Sequence, residues 1–407
     1  MAFDKNTKKG FAKNLILNVS AMVIMNLVIQ FVVYPLINRD LGQETYGRVL
    51  YLMAIIAVVA GSFGSALNNT RLANKPKYES TNGDYNSLLL LFAGISAVVS
   101  VVIIILLGQA SATEIILFAV LMLLTLCRFF FDVAFRLTLN YTKLFIYYMC
   151  LSAGYLIGSL LFSFSKIWYI ALIIGEASCI VYTFIKGRNI FTSFLKTSDN
   201  RSRVWKDVWF VALSYLISNF FLSVDRILLN NTLGGAAVTT YYTASLLGKT
   251  LALLVVPLTG VLISYLANYQ GIIHRKTYLK VVGGVTVLSA VVFAACVFVS
   301  PWLIRILYPN LYDSAAGMIS IGTLGQILYF ASTLLLAILL RFCKAKYQFI
   351  IQGIYGAIYL ALAIPAAINY GIFGFAYATI ISNGILFIIV VSIGLYKFGK
   401  GVKLETE

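Results

Sequence analysis

Residues 86–108 read NSLLLLFAGISAVVSVVIIILLG, a run without one charged side chain. A helix that crosses a bilayer needs about 20 consecutive apolar residues, since lipid offers backbone N–H and C=O groups no partner and the helix must satisfy them itself. Runs of this kind recur along the whole chain. Breaks at Gly, Pro, Asn and charge clusters divide it into twelve, predicted at residues 14–38, 45–70, 86–108, 112–139, 143–164, 166–187, 205–231, 236–267, 277–300, 314–341, 347–368 and 372–396. They are called helices one to twelve below. Hydrophobic residues make up 61% and charged residues 11%, against roughly a quarter charged in a soluble domain, so the chain reads as an all-α polytopic membrane protein.

Lys and Arg set the orientation, because they are retained on the cytoplasmic side. With the N-terminus inside, Arg39, Arg48, Lys166 and Arg305 fall outside and Arg128, Arg226 and Lys249 fall within spans. The other 24 of the 31 basic residues are then cytoplasmic. One helix more or fewer would invert the bias downstream, so the asymmetry supports twelve spans with both termini cytoplasmic. Residues 1–13 carry four lysines ahead of an apolar segment too long for a signal-peptide core, and no small-residue cleavage site follows. This segment reads as an uncleaved first helix. The net charge of +17 then expresses topology and attraction to anionic membrane lipids, and no nucleic acid is needed to explain it. Cys127, Cys150, Cys179, Cys296 and Cys343 lie in apolar runs without metal or disulfide spacing, and neither a metal nor a cofactor is expected.

The longest polar break, residues 186–206, contains KTSDNRSRVWK and separates helix six from helix seven. It predicts a first lobe at 1–190, a cytoplasmic linker at 191–206 and a second lobe at 207–407. The lobes echo each other, since NRDLGQETYG follows helix one and NNTLGGAAVTTYY follows helix seven. Six helices per half give both halves the same orientation, related by an axis along the membrane normal. Two six-helix bundles flanking a central cavity are the expected product. The outer loops are short, the longest being 301–313, which disfavours a membrane enzyme with catalytic residues on a large outer loop.

Function is sought in the groups that lipid should exclude. Gly248-Lys249-Thr250 has the tail of a phosphate-binding loop, but the glycine required six residues before the lysine is Thr243 and no strand precedes it. Lys249 is therefore a charge within a membrane helix. Each such charge costs about 2.5–3.5 kcal/mol on insertion scales. Arg128, Asp132, Glu176, Asp225 and Arg226 share the situation. Arg128 and Asp132 are four apart on helix four and are expected to pair on one face, either locking helices or lining a watery path. Asn18, Asn26, Gln30, Tyr34 and Asn38 form a stripe on helix one, with Met22 filling the gap. Tyr215, Asn219, Ser223, Arg226 and Asn230 repeat it on helix seven. Helix two ends in Asn68, Asn69 and Arg71, and helix eight offers Tyr242, Ser245 and Lys249. Helices one, two, seven and eight are thus expected to line the cavity. Arg128, Asp132, Arg226, Lys249, Asn26, Gln30, Asn69, Arg71, Asn219 and Tyr242 are the candidate substrate contacts. Asp225, Asp132 and Glu176 are candidates for coupling or charge balance. Pro35, Pro257 and Pro365 are expected to kink their helices. His274 reads as a solvated loop residue.

At LGQETYG (Leu41 to Gly47) and SVDRILLNNTLGGAAVTTYYTASLLGKTLALLVVPL (Ser223 to Leu258) the sequence resembles bacterial polysaccharide transporters, specifically the O-antigen flippases of the multidrug/oligosaccharidyl-lipid/polysaccharide superfamily. The resemblance implies a MATE-like fold of two six-helix lobes in the inner membrane. It also implies translocation of an undecaprenyl-pyrophosphate-linked oligosaccharide from the cytoplasmic to the periplasmic leaflet, with a polymerase and a chain-length regulator as partners. By motif position it assigns the helix-seven aspartate to Asp225 and the tyrosine opening helix eight to Tyr241 or Tyr242. The spacing between Gly234 and that tyrosine is longer than in the family. Drug and cation antiporters of the superfamily carry an acid in helix one, where this chain has Asn and Gln. Lipid II flippases usually have two further helices, for which 407 residues leave no room.

Overall fold

The computed structural model describes the backbone of residues 5–108, 111–252, 274–342 and 346–400, and side chains from residue 16 to 399 except 109–110, 252–273, 337–338 and 340–349. All regular structure among these residues is helical. Nine stretches among them are long and apolar enough to cross a membrane. Two are double length, Ile16–Asn74 with 59 residues and Ile350–Lys397 with 48. Each contains one glycine in the left-handed half of backbone space, Gly42 at φ 81° and Gly371 at φ 62°. A Cβ there meets the adjacent carbonyl, which is why the chain turns at glycine. Counting each double stretch as two crossings, the nine supply eleven. These match eleven of the twelve predicted spans. Helix eight begins at Gly235–Ala244 and Leu246–Ala252; its remainder, with Pro257, lies outside the described residues, as does Cys343.

Several details differ from the expectation. Helix eight is interrupted at Ser245, whose hydroxyl donates to the Tyr241 carbonyl at 2.8 Å. This local hydrogen bond competes with the helical ladder. Helix nine, Arg275–Leu307, runs through Pro301, and His274 is the residue preceding its first turn. Helix one passes at Ile29–Val33 into a π-helical turn and Pro35 opens the next α-helical segment; a second π-helical turn occurs at Ala57–Gly61 in helix two. Pro365 lies inside its helix, and the break there is at Gly371.

The segment predicted as a linker is strapped down. Asn82 Nδ2 donates to the carbonyls of Asn189 and Thr192, Asn86 Nδ2 to those of Ile190 and Phe194, and the Ser198 N–H and hydroxyl donate to Asp84. The chain forms two compact units. Unit 1 comprises Met1–Gly42 and Val49–Ile227, and unit 2 comprises Gln43–Arg48 and Leu228–Glu407.

Candidate functional site

In unit 1, helix four (Ala112–Phe131) carries Arg128 near its end, and helix six (Trp168–Lys186) carries Glu176. Arg128 Nε donates to Glu176 Oε2 at 2.7 Å, while the Tyr155 hydroxyl donates to Glu176 Oε1 at 2.8 Å. The guanidinium also lies 4.1 Å from the centre of the Phe129 ring. The expected pairing of Arg128 with Asp132 is therefore corrected. Helix four ends at Phe131, and the next turn, Val133–Arg136, starts beyond Asp132. That break turns Asp132 toward Arg136, whose Nη2 donates to Oδ2 at 2.9 Å. Tyr148 donates to the same oxygen at 3.0 Å, and Asn68 of helix two donates to Oδ1. Both carboxylates are nearly withdrawn from solvent, and each is shared between one arginine and one tyrosine. The sequence reading did not single out Tyr148 or Tyr155. Their seven-residue separation on helix five was the available signal.

The stripe on helix seven meets helix two. Asn69 Nδ2 donates to the Tyr215 hydroxyl at 2.8 Å, and Asn219 Nδ2 donates to the Ser62 hydroxyl at 2.9 Å. Nearer the start of helix seven, Asp207 accepts from Tyr78 at 2.7 Å and from Asn74 at 3.2 Å. Hydrogen bonds of this kind join packed helices where the apolar driving force between them is absent. Arg71 donates through Nη2 to Asn82 Oδ1 and stacks on Tyr85, 5.3 Å from its centre, while its buried Nη1 makes no hydrogen bond. Arg226 donates to the Ser223 hydroxyl at 3.1 Å, and its Nε stands 3.8 Å from Asp225 Oδ1, beyond hydrogen-bonding distance.

On helix one, the Asn26 amide donates to the Met22 carbonyl at 2.8 Å, and Gln30 lies within the π-helical turn. A four-residue spacing drifts by about 40° per step on an α-helix of 3.6 residues per turn. The wider turn at Ile29–Val33 takes part of that rotation back and keeps the polar stripe together. Asn26 and Gln30 are half-buried, whereas Tyr34 and Asn38 are buried.

In unit 2, the Lys249 ammonium lies over two aromatic rings of its own helix, 4.8 Å from the centre of Tyr242 and 5.5 Å from that of Tyr241. Tyr241 in turn makes an edge contact with Phe375. The break at Ser245 falls between the tyrosines and the lysine. The predicted residues therefore gather in separate groups: Arg128 with Glu176, Asp132 with Arg136, Asn69 with Tyr215, Asp225 with Arg226, and Tyr242 with Lys249. Among the described residues no cluster of His, Cys, Asp and Glu is arranged to hold a metal ion.

No protein-family model matches the chain, and no curated relative matches it. Solved structures do. An inward-facing multidrug resistance MATE family transporter of the MOP superfamily superposes with a TM-score of 0.64 at 12% identity, over 95% of this chain and 99% of that one. The outward-facing conformation of such a transporter gives 0.62 at 15% identity, over 96% of each chain. Lipid II flippase MurJ in an inward closed conformation gives 0.62 at 17% identity, over 96% of this chain and 87% of that one. At such identities the likeness is one of fold. The chain is a multi-pass membrane protein with the MATE-like helical fold.

Proposed function

We propose that the protein is a flippase that moves an undecaprenyl-pyrophosphate-linked oligosaccharide, an O-antigen or related surface-polysaccharide unit, from the cytoplasmic to the periplasmic leaflet of the inner membrane. Lys249 carries the reading. Ring faces stabilise a cation by about 0.5–2 kcal/mol. An ammonium held over the rings of Tyr241 and Tyr242 on a membrane helix is a cation suited to attract the pyrophosphate of such a substrate. Arg226, with its carboxylate neighbour at 3.8 Å, and Arg71 are the next candidates. Asn26, Gln30, Asn69, Asn219 and Tyr242 supply donors and acceptors that replace water around sugar hydroxyls. The polyprenyl tail is at home in lipid, so only the head requires a path. Arg128, Asp132 and Glu176 are assigned to holding unit 1 together.

The neighbour named as a lipid II flippase supports a lipid cargo, and those named as multidrug transporters support a second reading, export of drugs or cations. The second reading is disfavoured by Asn26 and Gln30 on helix one, where the antiporters that this chain resembles carry an acid. The test is translocation of a lipid-linked oligosaccharide across reconstituted vesicles, compared with efflux of cationic drugs. The wild-type protein is expected to move the lipid, and Lys249→Ala to lose that activity. Drug efflux without lipid movement establishes the second reading instead.

A further inference from the structure

Gln43–Arg48 lies in the first half of the sequence but is built into unit 2. Its attachments are specific. The Glu44 carboxylate accepts the Gly235 N–H at 2.9 Å on one oxygen and the Ala236 N–H at 2.7 Å on the other. These are the first N–H groups of helix eight, which have no partner within the helix and carry the positive end of its dipole. The Gln43 side-chain amide donates to the Thr240 hydroxyl at 2.9 Å and the Ala236 carbonyl at 3.2 Å, and Thr239 donates back to the Gln43 carbonyl at 2.7 Å. The Tyr46 and Tyr308 hydroxyls lie 3.2 Å apart with both residues fully buried. A Cβ on Gly47 would stand 1.8 Å from the Gly235 carbonyl oxygen, so only glycine permits this approach of the two backbones. At Gly42, by contrast, φ is 81° and no heavy atom beyond its own chain neighbours stands within 4 Å of a Cβ position. The chain is free at the point where it leaves unit 1 and closely held from the next residue onward.

The helix capped in this way carries Tyr241, Tyr242 and, beyond Ser245, Lys249. We infer that Gln43–Arg48 is a strap that stays on unit 2 throughout the transport cycle, with Glu44 as a positioning residue that holds the first turns of helix eight, and so the two tyrosines, in place for Lys249. The inference rests on the proposed role of Lys249 for its functional consequence, but not for the strap itself. A strap that released in each cycle would have to break two charge-assisted hydrogen bonds, separate a backbone contact that admits no side chain, and expose two buried tyrosines. The free position at Gly42 lets the chain turn without disturbing any of these.

The experiment uses the full-length protein without its native cysteines, carrying Gln43→Cys and Thr240→Cys, in membranes treated with a short bis-methanethiosulfonate that dithiothreitol cleaves. The bridge is expected to form, and lipid-linked oligosaccharide transport is expected to be equal before and after cleavage. Failure to bridge, or transport that stops on bridging and returns with dithiothreitol, overturns the strap. Glu44→Ala is expected to lose transport and Glu44→Asp to regain part of it. If both retain full transport, Glu44 does not position helix eight. If the wild-type protein moves no lipid-linked oligosaccharide while the bridge forms in the double-cysteine variant, the flippase reading fails and the strap stands.

Discussion

Arg128 and Glu176 stand 48 residues apart in sequence and 2.7 Å apart in space, each nearly withdrawn from solvent. They join helix four to helix six. The arrangement balances a charge that lipid would not tolerate, and Tyr155 satisfies the second carboxylate oxygen. Removing one partner leaves an uncompensated buried charge, which typically costs about 3–5 kcal/mol, while replacing both by apolar residues of similar volume is often neutral. Arg128→Met and Glu176→Leu are each expected to lower the thermal stability of the purified protein sharply, and the double substitution to restore most of it. Transport by the double variant measures the remaining question. Retained transport assigns the pair to the fold; lost transport in a stable double variant returns Arg128 to the substrate path.

The sequence shows where the crossings are because lipid demands length and hydropathy, both local properties. It also shows the turns at Gly42 and Gly371, since predicted breaks at 38–45 and 368–372 surround them. The partners of the buried charges are less legible. Spacing alone favours Arg128 with Asp132, but a helix end at Phe131 redirects Asp132, and a local pattern carries no information about Glu176 on a neighbouring helix. The polar stripes on helices two and seven are visible as stripes. That Asn69 meets Tyr215 and Asn219 meets Ser62 depends on register between helices, which only packing determines. Likewise LGQETYG is recognisable as a motif, while its role as a cap on helix eight required Glu44 to be seen at Gly235.

Two residues before the turn at Gly42 and beyond the end of the first predicted span, Asp40 accepts from Lys166 at 2.6 Å and from Arg39 at 3.0 Å. The Lys166 hydrogen bond, with Arg39 and both positive charges adding to it against partial burial, holds the Asp40 carboxyl below the usual carboxylate range. A depressed carboxyl contributes stability above its unfolded value of about 3.9 and loses it as pH falls through the folded value. Asp40→Asn is therefore expected to destabilise at pH 7 by about 1 kcal/mol, since its basic partners Arg39 and Lys166 are exposed although the carboxylate itself is not. The difference between variant and wild type is expected to be unchanged at pH 5.5, and to shrink and then vanish as pH falls from the unfolded value through the depressed folded one. Melting curves of both proteins from pH 7 downward decide it.

Asp225 neighbours Arg226 at 3.8 Å, close enough to balance its charge without fixing its geometry. We expect charge balance, not proton carriage, to be its role. Asp225→Asn keeps the size and hydrogen bonding of the side chain and removes the charge. It is expected to slow translocation in vesicles while leaving the response to an imposed proton gradient as in wild type. A stable variant that transports downhill but has lost a gradient response present in wild type assigns coupling to Asp225.

The topology is open to direct test. Lys196 lies in the linker strapped to residues 81–86, and Tyr370 adjoins the turn at Gly371. A reporter fused after Lys196 is expected on the cytoplasmic side and one after Tyr370 on the periplasmic side. A periplasmic signal at Lys196 breaks the division into six and six.

Lys249 and Tyr242 allow charge, ring and hydroxyl to be separated. The ammonium lies 4.8 Å from the ring centre, a distance at which the ring face attracts it. Tyr242→Phe keeps the face and removes the hydroxyl, whereas Tyr242→Leu removes both. If the ring serves to hold the lysine, Phe is expected to retain transport and Leu to reduce it by roughly two- to thirtyfold, the equivalent of about 0.5–2 kcal/mol. If the hydroxyl serves the sugar, Phe and Leu fall together. Lys249→Ala is expected to abolish translocation with the protein still abundant in the membrane. Lys249→Arg is expected to restore part of it, because a guanidinium keeps the charge and stacks on aromatic rings but differs in shape and donor geometry. Loss of membrane abundance in Lys249→Ala, recovered in Lys249→Met, shows instead that the lysine serves helix packing, and removes the support on which the pyrophosphate reading rests.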